Sequence, residues 1–443
     1  MTLTKRYLFE QLESFFCVVL AFFSGSWLWY VNVSSYWTPG FDGTKTLLTV
    51  GVLFAGVYYF FAKTYQAFLV GLTRFRELMF GQTLSFLFAD GILYGATFFW
   101  FHNFERLNWR YYLMAYAAQI FLSAVYTFLI NRLYAFFVAP PKTIVLYGGS
   151  DISVLKDKFL HHERRFDIVR YLPESCGWEE IERAIAAVDS VYLYETDDKL
   201  RNKVVLYCNL HKKEVHASLD IEDILIMGFD VSHSLDTPFV RSKRIPAAWY
   251  YSGVKRLMDI LISLCGLVIL SPICLLTALL IYLEDRGPVI YSQKRLTRDG
   301  KVFSIHKFRS MRVDAEKKGG AQLARKDDDR ITAVGKTIRA FRIDEIPQLF
   351  NVIAGDMTLV GPRPERPEMY ELYRKELPEF DMRMQVKAGL TGYAQVFGKY
   401  NTSPEDKLKL DLLYINKRSL LTDFKLLFYT AKIFIKKESA EGV

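Results

Sequence analysis

Two adjacent carboxylates stand beside two arginines in the last third of the chain. The stretch reads Arg339-Ala-Phe-Arg342-Ile-Asp344-Glu345-Ile-Pro347-Gln348. Pro347 suits the first turn of a helix that runs to about Ala354 and stops at Gly355, so the two acids are expected at the start of that helix. An acid at this place can cap the helix. Capping accounts for one acid, whereas a carboxylate pair beside arginines indicates a nucleophile or a metal ligand, at a helix end that also favours phosphate.

Two other segments add groups that suit phosphate. Residues 360–365 read VGPRPE, in which Pro362 and Pro364 stiffen the backbone on both sides of Arg363. The arginine side chain offers a rigid fork that matches phosphate oxygens. Lys307 and Arg309 follow a strand predicted at 302–305, where a solvated edge strand would explain them equally well.

The composition of the whole chain limits the fold that could position these residues. The 443 residues are 51% hydrophobic and 16% aromatic. This composition excludes a disordered or low-complexity protein. The net charge of +9 lies entirely in residues 255–443, which hold 33 basic and 24 acidic residues. Such a basic domain on a membrane-anchored chain predicts anionic lipid, phosphate or nucleotide as its partner. No nucleic-acid-binding motif accompanies the charge, so nucleic acid is not expected.

The first 142 residues form the predicted transmembrane domain. Spans are predicted near residues 12–33, 45–63, 83–101 and 111–136, each about the 20 residues that a bilayer requires. Basic residues in the short loops predict that both ends of this block face the cytoplasm. Asp90 falls inside the third span. Without a second ionisable residue to form a relay, we interpret it as an interfacial residue or one hydrogen-bonded to a neighbouring helix.

Residues 143–250 alternate between strand and helix patterns. Strands are predicted at 143–147, 168–172, 190–194 and 214–219, with a helix at 154–162, which indicates a small Rossmann-like parallel α/β domain. The first strand ends in Gly148-Gly149-Ser150, which is not the dinucleotide fingerprint, and no acid ends the second strand. A regulatory or structural role is therefore expected.

A further apolar stretch opens the third predicted domain, residues 251–443. In the segment 255–284, Lys255 and Arg256 precede an apolar stretch from Leu257 to Leu283, and Ser271-Pro272 lies at its centre. Proline disfavours a straight helix, so the stretch is either a kinked fifth span or a helix–break–helix hairpin that enters and leaves on one face. Basic residues flank both ends, which favours the re-entrant hairpin.

Several ordered motifs resemble the bacterial sugar transferase family, whose members are monotopic phosphoglycosyl transferases that start surface glycan synthesis. The motifs are KFRSM at 307–311, RxxRxDExPQLxNVxxGDM at 339–357, VGPRPE at 360–365 and GLTGYAQV at 389–396. The resemblance covers about residues 250–437, and the layout is similar to the large members that load hexose 1-phosphate onto undecaprenyl phosphate. The expected fold is a mixed α/β membrane protein with a four-helix transmembrane bundle, a Rossmann-like domain and a catalytic unit with a re-entrant membrane hairpin.

The resemblance also implies a chemistry. Asp344 would attack the sugar-bound phosphate of a UDP-sugar, UMP would leave, and undecaprenyl phosphate would take the phosphosugar from the enzyme. Glu345 and Asp344 would hold Mg²⁺. The other implied catalytic and substrate-binding residues are Lys307, Arg309, Arg339, Arg363, Pro362, Pro364, Gln348, Arg342, Lys255 and Arg256.

The resemblance further implies a multi-pass protein of the bacterial inner membrane with its active site facing the cytoplasm, and the large members of the family suggest a homodimer. A non-enzymatic scaffold or regulator of polysaccharide export is the main alternative, and it would not need the acid pair. A nucleotide-sugar oxidoreductase is a second alternative, disfavoured by the incomplete dinucleotide fingerprint.

Overall fold

A computed structural model describes most of the chain. The described residues are 2–34, 42–71, 73–101, 108–149, 156, 167–228, 230–232, 239–241, 249–313, 330–398 and 402–435. They divide into two compact units, which comprise residues 1–218 and 219–443. The predicted helix at 154–162 lies, apart from residue 156, outside the described residues.

Four long helices begin the first unit, where the sequence predicted four spans. They are α1 (Thr2–Val33), α2 (Gly43–Thr64), α3 (Phe75–Phe101) and α4 (Trp109–Phe137). Aromatic side chains form much of their shared core, in which the rings of Tyr58 and Phe86 stack with centroids 4.2 Å apart. Among the described residues, five helices are long and apolar enough to cross a membrane: these four and the segment Tyr251–Asp285.

Two buried carboxylates lie within this helical core. Asp90 accepts a hydrogen bond from Nε2 of Gln119 at 3.2 Å, which confirms the predicted bond to a neighbouring helix. The premise that no second ionisable residue lies in a predicted span was wrong, because Glu13 is fully buried in α1. Its Oε1 accepts hydrogen bonds from Gln82 Nε2 at 2.6 Å and from Thr127 Oγ1.

A parallel sheet completes the first unit, as predicted. Its strands β1 (Lys142–Tyr147), β2 (Asp167–Pro173), β3 (Ser190–Tyr194) and β4 (Glu214–Ala217) lie in the order β2-β1-β3-β4, and every neighbouring pair is parallel. Helices α5 (Trp178–Ala186) and α6 (Asp198–Leu210) bury an apolar face in its core.

The second unit begins before the boundary placed at residue 250. Its first elements are α7 (Ile221–Met227) and the antiparallel pair β5 (Asp230–Ser232) and β6 (Phe239–Arg241). Ile224 of α7 is buried in the core of this unit, and Asn416 Nδ2 donates a hydrogen bond to the Ile224 carbonyl at 2.7 Å. Helix α7 therefore packs as part of the second unit.

Helix α8 (Trp249–Asp285) contains the predicted hairpin segment and runs through Pro272 without interruption. The predicted break therefore does not end the helix. Pro272 has no N–H to donate to the carbonyl four residues earlier, which belongs to Val268. The Ser271 hydroxyl donates to that same Val268 carbonyl at 2.7 Å. The carbonyl therefore keeps a hydrogen-bond partner, which is one way in which proline is tolerated inside a membrane helix.

The remaining elements build the rest of the second unit. The strands are β7 (Ile290–Leu296) and β8 (Val302–Phe308), an antiparallel hairpin, followed by β9 (Thr358–Val360) and β10 (Gly389–Thr391), a short parallel pair. The helices are α9 (Ala333–Ala340), α10 (Gln348–Ala354), α11 (Pro367–Glu376), α12 (Tyr393–Phe397), α13 (Pro404–Lys417) and α14 (Leu420–Ile435). Apolar side chains from α10, β9 and α13 share one core with Phe380.

Candidate active site

The two predicted acids lie on a single turn of 3-10 helix, Ile343–Glu345, immediately before α10. Arg342 precedes this turn with φ +52°, a left-handed conformation that turns the chain between α9 and the acids. Gly355 ends α10 with φ +94°, as the sequence predicted for a helix stop. Asp344 and Glu345 are only 8% and 9% exposed, so the fold withdraws both carboxylates from water.

Glu345 is held by two cations on one oxygen. Its Oε1 accepts from Lys307 Nζ at 2.9 Å and from Arg363 Nη2 at 2.8 Å. Lys307 lies near the end of β8, and Arg363 comes from the VGPRPE loop that follows β9. Three segments separated in sequence thus meet at one carboxylate.

The loop that carries Arg363 depends on glycine. Backbones of Gly361 and Gly389 approach so closely that a Cβ on Gly389 would lie 2.1 Å from the amide nitrogen of Gly361. Only glycine fits such an approach. The glycines of the VGPRPE and GLTGYAQV motifs therefore bring β9 and β10 together at the base of the site.

The pKa values of the two acids are shifted in opposite directions. Burial and the neighbouring Glu345 charge raise the pKa of Asp344 to about 6, against the opposing effect of Lys307 and Arg339. Burial also works to raise the pKa of Glu345, but the charges of Arg363 and Lys307 outweigh it and hold that pKa well below its usual range. Glu345 is therefore a fixed anion.

Asp344 differs from Glu345 in its contacts as well. Among the described residues no side chain donates a hydrogen bond to its carboxylate, although Lys307, Arg339 and Arg363 all act on it electrostatically. A carboxylate needs an available lone pair to attack phosphorus. The arrangement therefore leaves Asp344 available for chemistry and uses Glu345 to hold the surrounding cations.

Within the described part of the chain, no hydrogen bond joins this pair to three other predicted site residues, Arg309, Arg339 and Gln348. Arg309 is 6% exposed and pairs with Asp285 at the end of α8, rather than with Glu345. Buried Nη1 of Arg339 and Nε2 of Gln348 have no hydrogen-bond partner among the described residues. A buried donor without a partner requires an explanation. Because Arg339 also acts on Asp344 electrostatically, its Nη1 is a candidate contact for an anionic ligand.

Lys255 and Arg256 contact the protein itself. Lys255 Nζ lies 2.7 Å from Asp423 Oδ2 and donates to the Val360 carbonyl at 3.1 Å. Arg256 donates to the carbonyls of Val352 and Ile353 at 2.6 and 2.7 Å, at the end of α10. Their predicted role in substrate binding remains a prediction, and these contacts give them a second role in attaching α8 to the site.

The sequence interpretation missed the buried acids that pair with these basic residues. Asp423 is 2% exposed and Asp411 is 1% exposed, and Asp411 pairs with the equally buried Arg383. Asp259 of α8 accepts hydrogen bonds from Thr358 Oγ1 at 2.6 Å and from the Leu359 amide. The available signal was a single acid within an otherwise apolar stretch, as at Asp259 and Asp423, because a lone buried charge requires a partner.

The acid pair also fits a divalent cation. The described residues contain no group of three or more acidic, histidine or cysteine side chains that could hold a metal ion. Mg²⁺ nevertheless binds commonly through one or two carboxylates together with substrate phosphates and water. Asp344 and Glu345 supply such a partial oxygen site.

Most of the second unit is similar in sequence to known proteins. Residues 250–437 match the family model described as bacterial sugar transferase. An Aeromonas hydrophila protein, named UDP-N-acetylgalactosamine-undecaprenyl-phosphate N-acetylgalactosaminephosphotransferase, is 42% identical over 188 residues, which are 42% of this chain and 44% of that protein. A Klebsiella pneumoniae protein, named UDP-glucose:undecaprenyl-phosphate glucose-1-phosphate transferase, is 41% identical over 42% of this chain and 41% of its own length.

A shorter relative is matched over most of its length. A Bacillus subtilis protein, whose name gives undecaprenyl-phosphate N-acetylgalactosaminyl 1-phosphate transferase as a provisional activity, is 50% identical over 134 residues. These residues are 30% of this chain and 74% of that protein. The similarity contains the acid pair and the loop of Arg363 within one matched family segment. The chain therefore belongs to the bacterial sugar transferase family.

Proposed function

We propose that this protein transfers a sugar 1-phosphate, expected to be a hexose phosphate, from a UDP-sugar to undecaprenyl phosphate and releases UMP. The names of the relatives supply the class of donor and acceptor. The reaction would be the first membrane step of surface glycan synthesis, for exopolysaccharide, capsule or O-antigen. The observation that carries the proposal is the pairing of a carboxylate clamped by two cations with a buried neighbouring carboxylate that is free to react.

The first half-reaction uses Asp344 as the nucleophile. An oxygen of its carboxylate attacks the sugar-bound phosphorus of the donor, and the bond from that phosphorus to the bridging oxygen breaks. UMP leaves with the electron pair of that bond, and the phosphosugar remains on Asp344 as an acyl phosphate. Division of a transfer into two displacements is the usual purpose of covalent catalysis.

The second half-reaction regenerates the enzyme. A phosphate oxygen of undecaprenyl phosphate attacks the same phosphorus, the bond to Asp344 breaks, and the lipid diphosphate sugar forms. In this proposal Lys307, Arg339 and Arg363, the cations around the acid pair, stabilise charge on the phosphate oxygens during both displacements. Mg²⁺, held by Asp344 and Glu345, would neutralise part of the diphosphate charge when bound.

The position of α8 supports an active site at one face of the membrane. In its first half, Asp259 accepts a hydrogen bond from Thr358, and at its end Asp285 pairs with Arg309. Both parts of α8 therefore contact the rest of the second unit. Residues between these contacts expose apolar side chains, among them Ile269 and Leu275. We propose that α8 bends at Pro272, so that it dips into the bilayer and returns to the same face, which we assign to the cytoplasm on the basis of its flanking basic residues.

The test uses purified full-length protein in nanodiscs with UDP-sugars that carry ³²P in the β-phosphate. Wild type should release UMP and move label to undecaprenyl phosphate, and donor alone should label Asp344. Asp344→Asn should lose both reactions. Asp299→Asn is the matched control, because Asp299 is exposed in the β7–β8 turn with φ +57°, which asparagine tolerates.

Two results would contradict this proposal. Transfer by Asp344→Asn at the wild-type rate would exclude the covalent route. No transfer by folded wild type with any hexose or N-acetylhexosamine donor would favour the non-enzymatic scaffold.

A further inference from the structure

The loop that carries Arg363 is fixed by its backbone carbonyls. Their donors come from separate elements of the second unit. The bonds are Tyr414 OH to Val360 O at 2.8 Å, Gly389 N to Pro362 O at 2.8 Å, Arg383 Nη2 to Arg363 O at 2.9 Å, Arg295 Nη1 to Pro364 O at 3.2 Å and Leu296 N to Glu365 O at 3.1 Å. A loop held at successive carbonyls loses the freedom that surface loops ordinarily keep.

Arg383 differs from the other donors because it bonds to the carbonyl of Arg363 itself, the residue whose side chain contacts Glu345. Its side chain is 5% exposed, whereas the Arg363 side chain is 42% exposed. A long and half-exposed arginine has many rotamers, so its reach to Glu345 depends on where its backbone is held. Arg383 holds that backbone at the Arg363 carbonyl itself.

Arg383 is in turn held by a buried acid. Nη2 lies 2.8 Å from Asp411 Oδ2, and Nη1 lies 3.6 Å from Glu365 Oε1. The guanidinium carbon lies 4.6 Å from the centre of the Phe380 ring. A guanidinium enclosed by an anion and a ring has one available orientation, and in that orientation it also reaches the Arg363 carbonyl.

We propose that Arg383, oriented by Asp411, is a positioning residue for sugar phosphate transfer and acts through Arg363. The contacts form a series from Asp411 to Arg383, from Arg383 to the Arg363 backbone, and from the Arg363 side chain to Glu345. The role rests on the proposed function, because it concerns the rate of that reaction. It predicts that Arg383 affects turnover without contact with the substrate.

Arg383→Lys separates this role from a structural ion pair. Lysine keeps the positive charge beside Asp411, but its side chain is shorter and ends in one nitrogen. It therefore cannot reproduce the guanidinium, in which Nη2 contacts both Asp411 and the Arg363 carbonyl while Nη1 faces Glu365. A displacement of about 1 Å in a positioned group can cost about 100-fold in rate. We therefore expect kcat for UMP release to fall by about 10- to 100-fold, with KM for the donor and the melting temperature nearly unchanged.

Arg374→Lys is the matched control. Arg374 is half exposed on α11 and pairs with Asp381 at 3.2 Å, away from the Arg363 carbonyl. The same exchange of arginine for lysine there should leave kcat unchanged. Asp411→Asn is a second variant, which keeps the side-chain shape, frees Arg383 and should lower kcat in the same direction even if Arg383→Lys fails to fold.

A double-mutant cycle identifies the route of action. If Arg383 acts through Arg363, then Arg383→Lys should lower kcat much less in an Arg363→Lys background than in wild type. Full additivity of the two changes would overturn the proposal, as would wild-type kcat in folded Arg383→Lys and Asp411→Asn. Failure of the proposed function is distinct, because wild type itself would then transfer no sugar phosphate.

Discussion

Buried carboxylates in the two units have different partners. In the helical core of the first unit, Glu13 accepts from an amide and a hydroxyl, and Asp90 accepts from an amide. In the second unit, Glu345, Asp411 and Asp423 each lie against lysine or arginine. Glu13 and Asp90 thus have neutral partners, whereas Glu345, Asp411 and Asp423 have cationic ones. Asp259 of the second unit is the exception, because it accepts from a hydroxyl and an amide.

This difference indicates what each set contributes. Neutral hydrogen-bond donors satisfy a buried oxygen and fix how helices align, without placing a cation beside it. Cations around a carboxylate keep it ionised and, when two share one oxygen as at Glu345, leave positive charge for an anionic ligand. The second unit therefore has the electrostatic character that a diphosphate requires, and the helical core does not.

After loss of the nucleophile Asp344 itself, the largest expected effect comes from loss of the charge on Glu345. Glu345→Gln keeps the shape but releases Lys307 and Arg363 from their shared anion, and one misplaced electrostatic group costs about 10²- to 10³-fold in kcat. We expect a loss at the upper end of this range, measured as UMP release in nanodiscs. Glu379→Gln, an exposed acid in the same unit, should have no effect. Turnover by Glu345→Gln near the wild-type rate would remove the functional distinction between the two sets of acids.

The attachment of α8 gives the second prediction. Lys255→Met removes the cation from Asp423, which keeps only the hydroxyls of Tyr251 and Tyr414. Loss of a hydrogen bond to a buried charged group costs about 2–3 kcal/mol, so we expect a lower melting temperature. Thermal unfolding in detergent measures it. Unchanged unfolding together with a raised KM for the lipid phosphate would instead favour the substrate-binding role predicted for Lys255.

The sequence predicted features that depend on local pattern. The parallel sheet followed from alternating strands and helices, and the place of Asp344 and Glu345 followed from Pro347 and Gly355. Both predictions used patterns that are local in the sequence.

Features set by distant partners could not be predicted in this way. Arg383 and Asp411 are 28 positions apart, and Glu13 and Thr127 are 114 positions apart. At Pro272, the Val268 carbonyl that loses its backbone donor is bonded by the Ser271 hydroxyl, a contact that residue patterns do not reveal. A charge pattern shows that a buried acid needs a partner, but only the fold shows which one.

The third prediction concerns the pH dependence of the first half-reaction. The pKa of Asp344 is raised to about 6, so the carboxylate is ionised above this pH and protonated below it. A protonated acid is a poor nucleophile, and labelling of Asp344 by the donor should therefore fall as the pH drops through about 6. Arg339 lowers the pKa of Asp344, so Arg339→Gln should move this fall to higher pH. Pre-steady-state labelling from pH 5 to 8 measures the midpoint, and a shift to lower pH would contradict the assignment.

The smallest effect is expected in the helical core. Glu13→Gln keeps an oxygen for Gln82 and Thr127, so the free energy of unfolding should change by no more than about 1 kcal/mol. Glu13→Ala leaves both donors without this acceptor and should cost about 1–3 kcal/mol. Neither variant should alter kcat for UMP release, because Glu13 satisfies polar groups within the helices and has no cation to position. A loss of turnover in well-folded Glu13→Gln would show that the charge of this acid matters, and the two sets of buried carboxylates would then share a role in the reaction.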